Sequence, residues 1–233
     1  MTDYRSYFEF RQVNPEVYAN FRTPAYITKA LGSAKSARIL DFGCGFGQLS
    51  MSLRSLGYLE VEGLDISPEA IDYCRRNGLR CHSADGNEFY DSHRHWYDFV
   101  IMSHVVEHFP KDEIIPLLMR VKSSLKPGGA VIVIVPNAQS NTNAYWAYED
   151  FTHHTLFTTG SLYYVLRAAG FVNVEFLDLE CLEGLSAPKR LIKKFLLSVY
   201  RKNYTFWNRV TSSTVHAPSP VAFSFEVKAI ARA

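Results

Sequence analysis

The chain has 233 residues, enough for one sizeable core and not for two comfortable domains. Hydrophobic residues make up 47% and charged residues 21%, ordinary globular values that exclude disordered and fibrous classes. A formal net charge of +2 gives no long-range attraction to nucleic acid, so no nucleic-acid partner is expected.

The first residues, Met-Thr-Asp-Tyr-Arg-Ser-Tyr-Phe-Glu-Phe, show no basic stretch followed by an apolar run, so they do not read as a signal peptide. The longest dense apolar run, Ala130 to Val135, is far too short to span a bilayer. Cys44, Cys74, Cys81 and Cys181 have no CxxC spacing and read as reduced thiols. A cytoplasmic location is expected.

From Arg38 onward, strand and helix patterns alternate. Residues 38–42 form a buried strand that runs into glycines. Gln48 to Leu56 has helical spacing and stops at Gly57. Leu59 to Asp65 alternates as a second strand. Ser67-Pro-Glu-Ala then places an N-cap, a first-turn proline and an acid in helix-starting order, and that helix ends near Asn77-Gly78. Leu79 to Ala84 and Tyr97 to Ser103 are the third and fourth strands. Asp112 to Leu125 is helical and stops at Lys126-Pro-Gly-Gly129. Ala130 to Val135 is the fifth strand, suited to the middle of a covered sheet.

This alternation predicts an α/β fold, a Rossmann-like doubly wound sheet that is mostly parallel, in one domain over 1–233. Residues 1–35 are expected to be a helical cap and 36–136 the cofactor-binding core. Residues 137–233 should supply an acceptor loop (137–160), a basic helix within 185–220 and an antiparallel closing strand over 221–231. Ligands of such sheets bind beyond the carboxyl ends of the strands, which directs attention to Gly43–Gly47, Asp65, Asp85 and Ser103–His108.

Glycines at 43, 45 and 47 let the chain turn tightly and approach a ligand, and the helix beginning at Gln48 offers free N–H groups. Cys44 fits there as a small residue. The third glycine comes one position too early for the dinucleotide pattern GxGxxG, which disfavours a nicotinamide enzyme. Ile39-Leu-Asp-Phe-Gly-Cys-Gly-Phe-Gly-Gln48 resembles the first motif of class I S-adenosylmethionine-dependent methyltransferases. Tyr97-Asp-Phe-Val-Ile-Met-Ser103 and Leu125-Lys-Pro-Gly-Gly-Ala130 resemble that family's fourth strand and the turn before its fifth. The resemblance implies S-adenosyl-L-methionine as cofactor. It places Asp41, Gly43, Cys44, Gly45, Gly47 and Gln48 around the first turn. Asp65 and Ile66 follow at the end of the second strand, Asp85 and Gly86 after the third, and Ser103 after the fourth. A carboxylate at Asp65 has two acceptor oxygens for two adjacent ribose hydroxyls; the resemblance gives Asp85 the adenine amino group. Asp65 alone would also suit a helix-cap acid, and Asp85 a turn residue.

Ser103-His-Val-Val-Glu-His-Phe109 lacks the (N/D)PP(Y/F) motif of base-methylating enzymes. It resembles the branch with a Glu-His pair at this place, which includes quinone-precursor O-methyltransferases and sugar, lipid and antibiotic methyltransferases. Tyr148 to Leu162, with Leu166-Arg-Ala-Ala-Gly-Phe171, resembles the same branch, and its Asp-Phe-Thr-His form is similar to enzymes of surface-polysaccharide pathways. The implied partner is a small-molecule or glycan acceptor. A hydroxyl acceptor must lose a proton, and histidine has a pKa near neutrality. His104, His108, His153 and His154 are the candidates, with His153 preferred as base. No metal is assigned. A cation held by His104, Glu107, His108 and His153 is a second reading, since some quinone O-methyltransferases have a Glu/Glu/His set and a distant His at matching places; His104, standing where the first Glu would be, departs from that set. In a third, Glu107 and His108 only brace the loop and His153 bonds a backbone carbonyl. Rival functions are transfer to an amine, carbon or quinone precursor, and a non-catalytic cofactor-binding subunit. Tyr4, Tyr7, Phe8, Tyr18, Phe21, Tyr145, Trp146 and Tyr148 concentrate near the expected mouth. They suit stacking on an acceptor or the core of the cap. Arg11 and Arg22 suit an anionic acceptor or a solvated surface.

Residues 189–202 form a basic amphipathic helix, with Leu191, Ile192, Phe195, Val199 and Tyr200 on one stripe. Such a helix suits peripheral contact with an anionic membrane, at the inner face of the cell membrane, or packing of the stripe onto the domain. The oligomeric state is left open.

Overall fold

The computed structural model describes residues 7–83 and 88–233. The expected Asp85 and Gly86, and with them Tyr4 and Ala84, lie outside the described residues. Strands β1 (Ile39–Phe42), β2 (Val61–Asp65), β3 (Arg80–Ser83), β4 (Tyr97–Ser103), β5 (Leu125–Pro136), β6 (Val172–Phe176) and β7 (Glu226–Arg232) form one sheet in the order β3-β2-β1-β4-β5-β7-β6. The first five pair in parallel, and β7 runs antiparallel between β5 and β6. The mostly parallel Rossmann-like sheet with an antiparallel C-terminal strand is therefore present.

Alternation along the central strands builds two layers. On β5, Val131, Val133 and Val135 enter one core with Leu117, Leu118 and Val121 of α6 (Lys111–Ser124). Ala130, Ile132 and Ile134 enter the other, with Ile27 of α2 (Ala25–Leu31) and Leu53 of α3 (Gln48–Ser55). A strand buried on both faces needs this continuous apolar run. Ser67 caps α4 (Pro68–Arg76) as its sequence predicts, its hydroxyl accepting from the Ala70 N–H at 3.3 Å. Thr158 and Ser161 form a reciprocal capping box that starts α8 (Thr159–Ala168).

The structure departs from the sequence expectations in four places. Among its described residues the N-terminal cap holds α1 (Tyr7–Phe10), a 3₁₀ turn at Pro15–Tyr18 and α2, joined by turns and irregular chain. The expected loop over 137–160 contains a helix, α7 (Asn143–Glu149). The closing strand begins at Glu226, because residues 211–225 first cross back over the domain; Asn137 Nδ2 ties this segment down through the Ala222 and Ser224 carbonyls, each at 2.8 Å. The basic helix runs from Ala187 to Val210, eight residues beyond Lys202, as α9. A short helix, Glu88–Ser92, is α5. Among the described residues no helix is long and apolar enough to cross a membrane.

Candidate active site

β1 is wholly buried and delivers the chain into a turn where Gly43, Gly45 and Gly47 have φ of +73°, +51° and +76°. L-residues avoid this left-handed region. Space is also restricted: a Cβ on Gly43 would lie 2.4 Å from Val105 Cγ2, and one on Gly47 2.5 Å from Leu79 Cδ1. The turn is fixed from both sides. Gly43 N–H donates to the Leu64 carbonyl at 2.7 Å, and Gly45 N–H donates to Asp65 Oδ2 at 2.8 Å. Asp65 Oδ1 accepts from Ser67 N–H at 2.9 Å. The Ile66 N–H also donates to this carboxylate, which still has acceptor capacity for an incoming hydroxyl. Burial pushes the Asp65 pKa up, against the pull of these N–H donors.

The remaining residues of this half divide by direction. Asp41 is buried and accepts from the Ser50 hydroxyl at 2.8 Å, so its carboxylate braces β1 against α3; burial raises its pKa to about 7. The Cys44 side chain is buried beside Cys74 and Cys81 beneath the turn, which leaves only its backbone facing a ligand. Ile66, in contrast, is 43% exposed just after β2, an apolar surface available to a flat ring. Ser103, at the end of β4, is half-buried. Gln48 Oε1 is buried without a hydrogen-bond partner, 3.9 Å from where a Cβ on Gly45 would sit. An unpaired acceptor beside a turn that excludes side chains fits a ligand carrying N–H or O–H donors, as the cofactor's amino and hydroxyl groups do. A cavity of about 550 Å³ opens on the outer side of the turn, lined by Phe46, Gln48 and the 15–23 segment; neither Asp65 nor any acceptor-side histidine lines it.

Val105 joins this half to the other. Just before it, His104 takes φ +55°, and the 3₁₀ turn Val106–His108 follows. Glu107 is fully buried, and neither carboxylate oxygen has a hydrogen-bond partner. Its charge is met by His104, whose Nδ1 lies 3.3 Å from Glu107 Oε1 and whose Nε2 lies 2.8 Å from Glu226 Oε1. Burial would lower the His104 pKa, but the two carboxylates outweigh it and raise it, so this histidine is a cation.

The 150–155 segment folds over Glu107, pinned by His154 N–H to the Glu107 carbonyl at 2.8 Å. His153 enters the cluster, its side chain only 5% exposed, with Nε2 4.0 Å from Glu107 Oε1. His153 Nδ1 lies 2.6 Å from the Trp146 carbonyl. A carbonyl can only accept, so Nδ1 is the donor here and Nε2 is the ring nitrogen left facing Glu107 and Asp150. His108 is set the same way. Asp150 Oδ1 accepts from the Thr152 hydroxyl at 2.6 Å, so Thr152 Oγ1 accepts in turn from His108 Nδ1 at 2.7 Å. Burial lowers the His108 pKa and keeps the ring neutral. Ligand atoms of Glu107, His108 and His153 all lie within 4.8 Å of one another, and the two rings meet edge to face at 4.7 Å. His154 is exposed, apart from the cluster.

Helix α1 covers both halves. Phe8 rests on Phe46, ring centroids 4.6 Å apart, and reaches within 3.7 Å of a Gly45 Cβ position. Tyr7 donates to Asp150 Oδ2 at 2.6 Å. Arg11, read as a candidate for an anionic ligand, is instead 3.6 Å from Asp150 and donates to the Glu149 carbonyl at 2.7 Å. Asp150 and Glu226 were missed by sequence reasoning. Asp150 is three residues from His153, and that spacing could have raised it; Glu226 is 122 residues from His104, and no local signal marks it.

Comparison with known proteins fits this geometry. The methyltransferase domain family matches residues 10–176. The chain belongs to the class I S-adenosylmethionine-dependent methyltransferases. Over 128 residues, 52% of the chain, it is 31% identical to a ubiquinone biosynthesis O-methyltransferase of Shewanella pealeana, of which the match covers 51%. A ribosomal protein L11 methyltransferase of Janthinobacterium is 35% identical over 100 residues, covering 41% of this chain and 31% of that protein. The chain thus spans about half or less of the length of these curated relatives. In fold it resembles an S-adenosylmethionine-dependent methyltransferase from Archaeoglobus fulgidus, with a TM-score of 0.66, 22% identity and full coverage of both chains. It also resembles phosphoethanolamine N-methyltransferase 2 of Haemonchus contortus in complex with S-adenosyl-L-methionine, with a TM-score of 0.64, 16% identity, and coverage of all of this chain and 60% of that one.

Proposed function

We propose that this methyltransferase acts on a hydroxyl oxygen of a small molecule or glycan, with His153 Nε2 as the proton acceptor. The observation that supports this most is the Trp146 carbonyl on His153 Nδ1, which commits that nitrogen as a donor and turns Nε2 toward Glu107 and Asp150. When bound, the cofactor supplies an activated methyl group: its S–CH₃ bond breaks as the O–CH₃ bond forms, and a neutral thioether leaves. The protein's part is mainly positioning. In this reading the glycine turn, Asp65 and Ile66 hold the cofactor, and α7 with the 150–155 segment holds the acceptor. His153 takes the hydroxyl proton as the oxygen attacks, and Asp150 and Glu107, 3.9 and 4.0 Å from Nε2, stabilise the imidazolium that results. The curated O-methyltransferase relatives support oxygen as the acceptor atom, and a quinone precursor is the alternative within that class.

A second reading is favoured by the orphaned Glu107 oxygens. A divalent cation held by Glu107, His108 and His153, whose ligand atoms lie within 4.8 Å of one another, would satisfy them and would lower the pKa of a bound hydroxyl. Screening phenols, sugar nucleotides and glycans by mass shift with labelled cofactor, with and without EDTA, separates the readings. Methylation of a hydroxyl that survives chelation is expected. Methylation only of amines would overturn the proposal, and activity lost to EDTA and restored by a divalent cation would promote the second reading.

A further inference from the structure

Helix α9 is 24 residues long, about 36 Å at 1.5 Å per residue, and has no buried residue. It touches the domain along one seam. The half-buried positions are Lys193, Leu197, Tyr200, Tyr204 and Asn208, spaced as one face of a helix. Tyr200 donates to Asn141 Oδ1 at 2.7 Å, and the rings of Tyr200 and Tyr204 meet Phe223 edge-on at 4.9 and 5.1 Å. Tyr200, grouped by sequence with the apolar stripe, therefore belongs to the docked side.

The stripe itself points away. Leu191, Ile192, Phe195, Val199, Phe206 and Val210 are 52 to 72% exposed. At 100° per residue their mean direction lies about 155° around the helix from the seam. Packing of the stripe onto the domain, the bland expectation from sequence, is not what the structure shows. Trp207, 54% exposed, lies at the edge of this stripe. The helix carries seven lysines and arginines and no acidic residue, and Lys189, Lys202 and Arg209 flank the apolar arc. An unpartnered apolar face beside cations alone asks for a surface that is apolar inside and anionic at its rim. A second copy of this helix would offer an apolar face but would oppose cations to cations.

We propose that α9 lies in the interfacial plane of an anionic lipid bilayer, its apolar stripe at the acyl boundary and its cations on the headgroups. The helix is too charged to span. Through Tyr200 and Asn141 it is fixed to the segment that leads into α7, so docking holds the acceptor mouth near the lipid surface. The inference does not depend on which acceptor is methylated.

The test is co-sedimentation of the full chain with vesicles of phosphatidylcholine, alone or mixed with about one third phosphatidylglycerol. Binding to the mixed vesicles roughly tenfold or more above the neutral ones, weakened by salt, is expected. Phe195→Asp should abolish it, and Lys194→Glu with Lys202→Glu should reduce it, without moving the thermal midpoint, because these positions do not pack on the domain. No binding, or equal binding to both vesicle types, would overturn the proposal. So would sedimentation velocity showing a stable dimer that Phe195→Asp dissociates, because a second copy would then cover the stripe.

Discussion

Replacing Gly43 by alanine tests whether the turn is built as described. Two costs can be read from the structure. At φ +73° an L-residue is strained by about 1–2 kcal/mol. The new Cβ would stand 2.4 Å from Val105 Cγ2, an overpacking that costs about 1–3 kcal/mol. The sum, about 2–5 kcal/mol, corresponds to a fall of roughly 4–20 °C in thermal midpoint for a chain of this size. Calorimetry should show S-adenosylmethionine affinity falling roughly tenfold for each 1.4 kcal/mol by which the turn is displaced. Val105→Ala alone removes two buried methyls, about 1.6 kcal/mol. In the double variant the steric part should vanish while the backbone part remains, so the two substitutions should be non-additive by about 1–3 kcal/mol. A neutral Gly43→Ala, or strict additivity with Val105→Ala, would refute this account of the turn.

Three further outcomes follow from the same contacts. Ser67→Ala removes the cap of α4 and should cost about 1 kcal/mol, a fall of roughly 2–4 °C in the melting midpoint. His104→Gln should flatten the alkaline limb of the stability profile. The His104 pKa is raised by Glu107 and Glu226 to about 10, so its contribution is complete below the ordinary histidine value and is lost as pH rises toward the raised one. Glu62→Gln should do the converse in acid. Hydrogen bonds from His82 and Tyr97 lower the Glu62 pKa to about 2, so its contribution stands above the ordinary carboxylate value and fades as pH falls to that point. Denaturant titrations across pH read both; profiles that match the parent would show these ion pairs to be idle.

What was legible in the sequence was what is local or periodic. Glycines at 43, 45 and 47 announce positive φ because other residues resist it, and Ser67-Pro68 announces a helix start because capping acts within three residues. The unbroken apolar run of β5 announces burial on both faces. Helix α7 was hidden because it has no side-chain cap and is held from a distance, by Arg11 on the Glu149 carbonyl and Tyr7 on Asp150. The histidine cluster was visible as composition but not as roles. His153 and His154 are adjacent in sequence, yet only the fold turns one inward beneath Trp146 and leaves the other exposed. For α9, periodicity located the apolar stripe but not the side that docks, since a seam of Leu197, Tyr200 and Tyr204 competes for the domain and wins through Phe223 and Asn141.

The central claim is that His153 accepts a proton from a hydroxyl acceptor, and the pH–rate profile of His153→Ala with labelled cofactor measures it. The contacts of His153 are with Trp146, Glu107, Asp150 and His108 and not with the glycine turn, so cofactor affinity should stay near that of the parent. Turnover on a hydroxyl acceptor should fall by roughly 10²–10⁴, the usual worth of general acid–base catalysis. The parent rate should rise with pH as its base loses its proton, and that limb should be missing in the variant. Full turnover in His153→Ala, with His104→Ala or His108→Ala inactive instead, would contradict the assignment and move the base into the turn after β4.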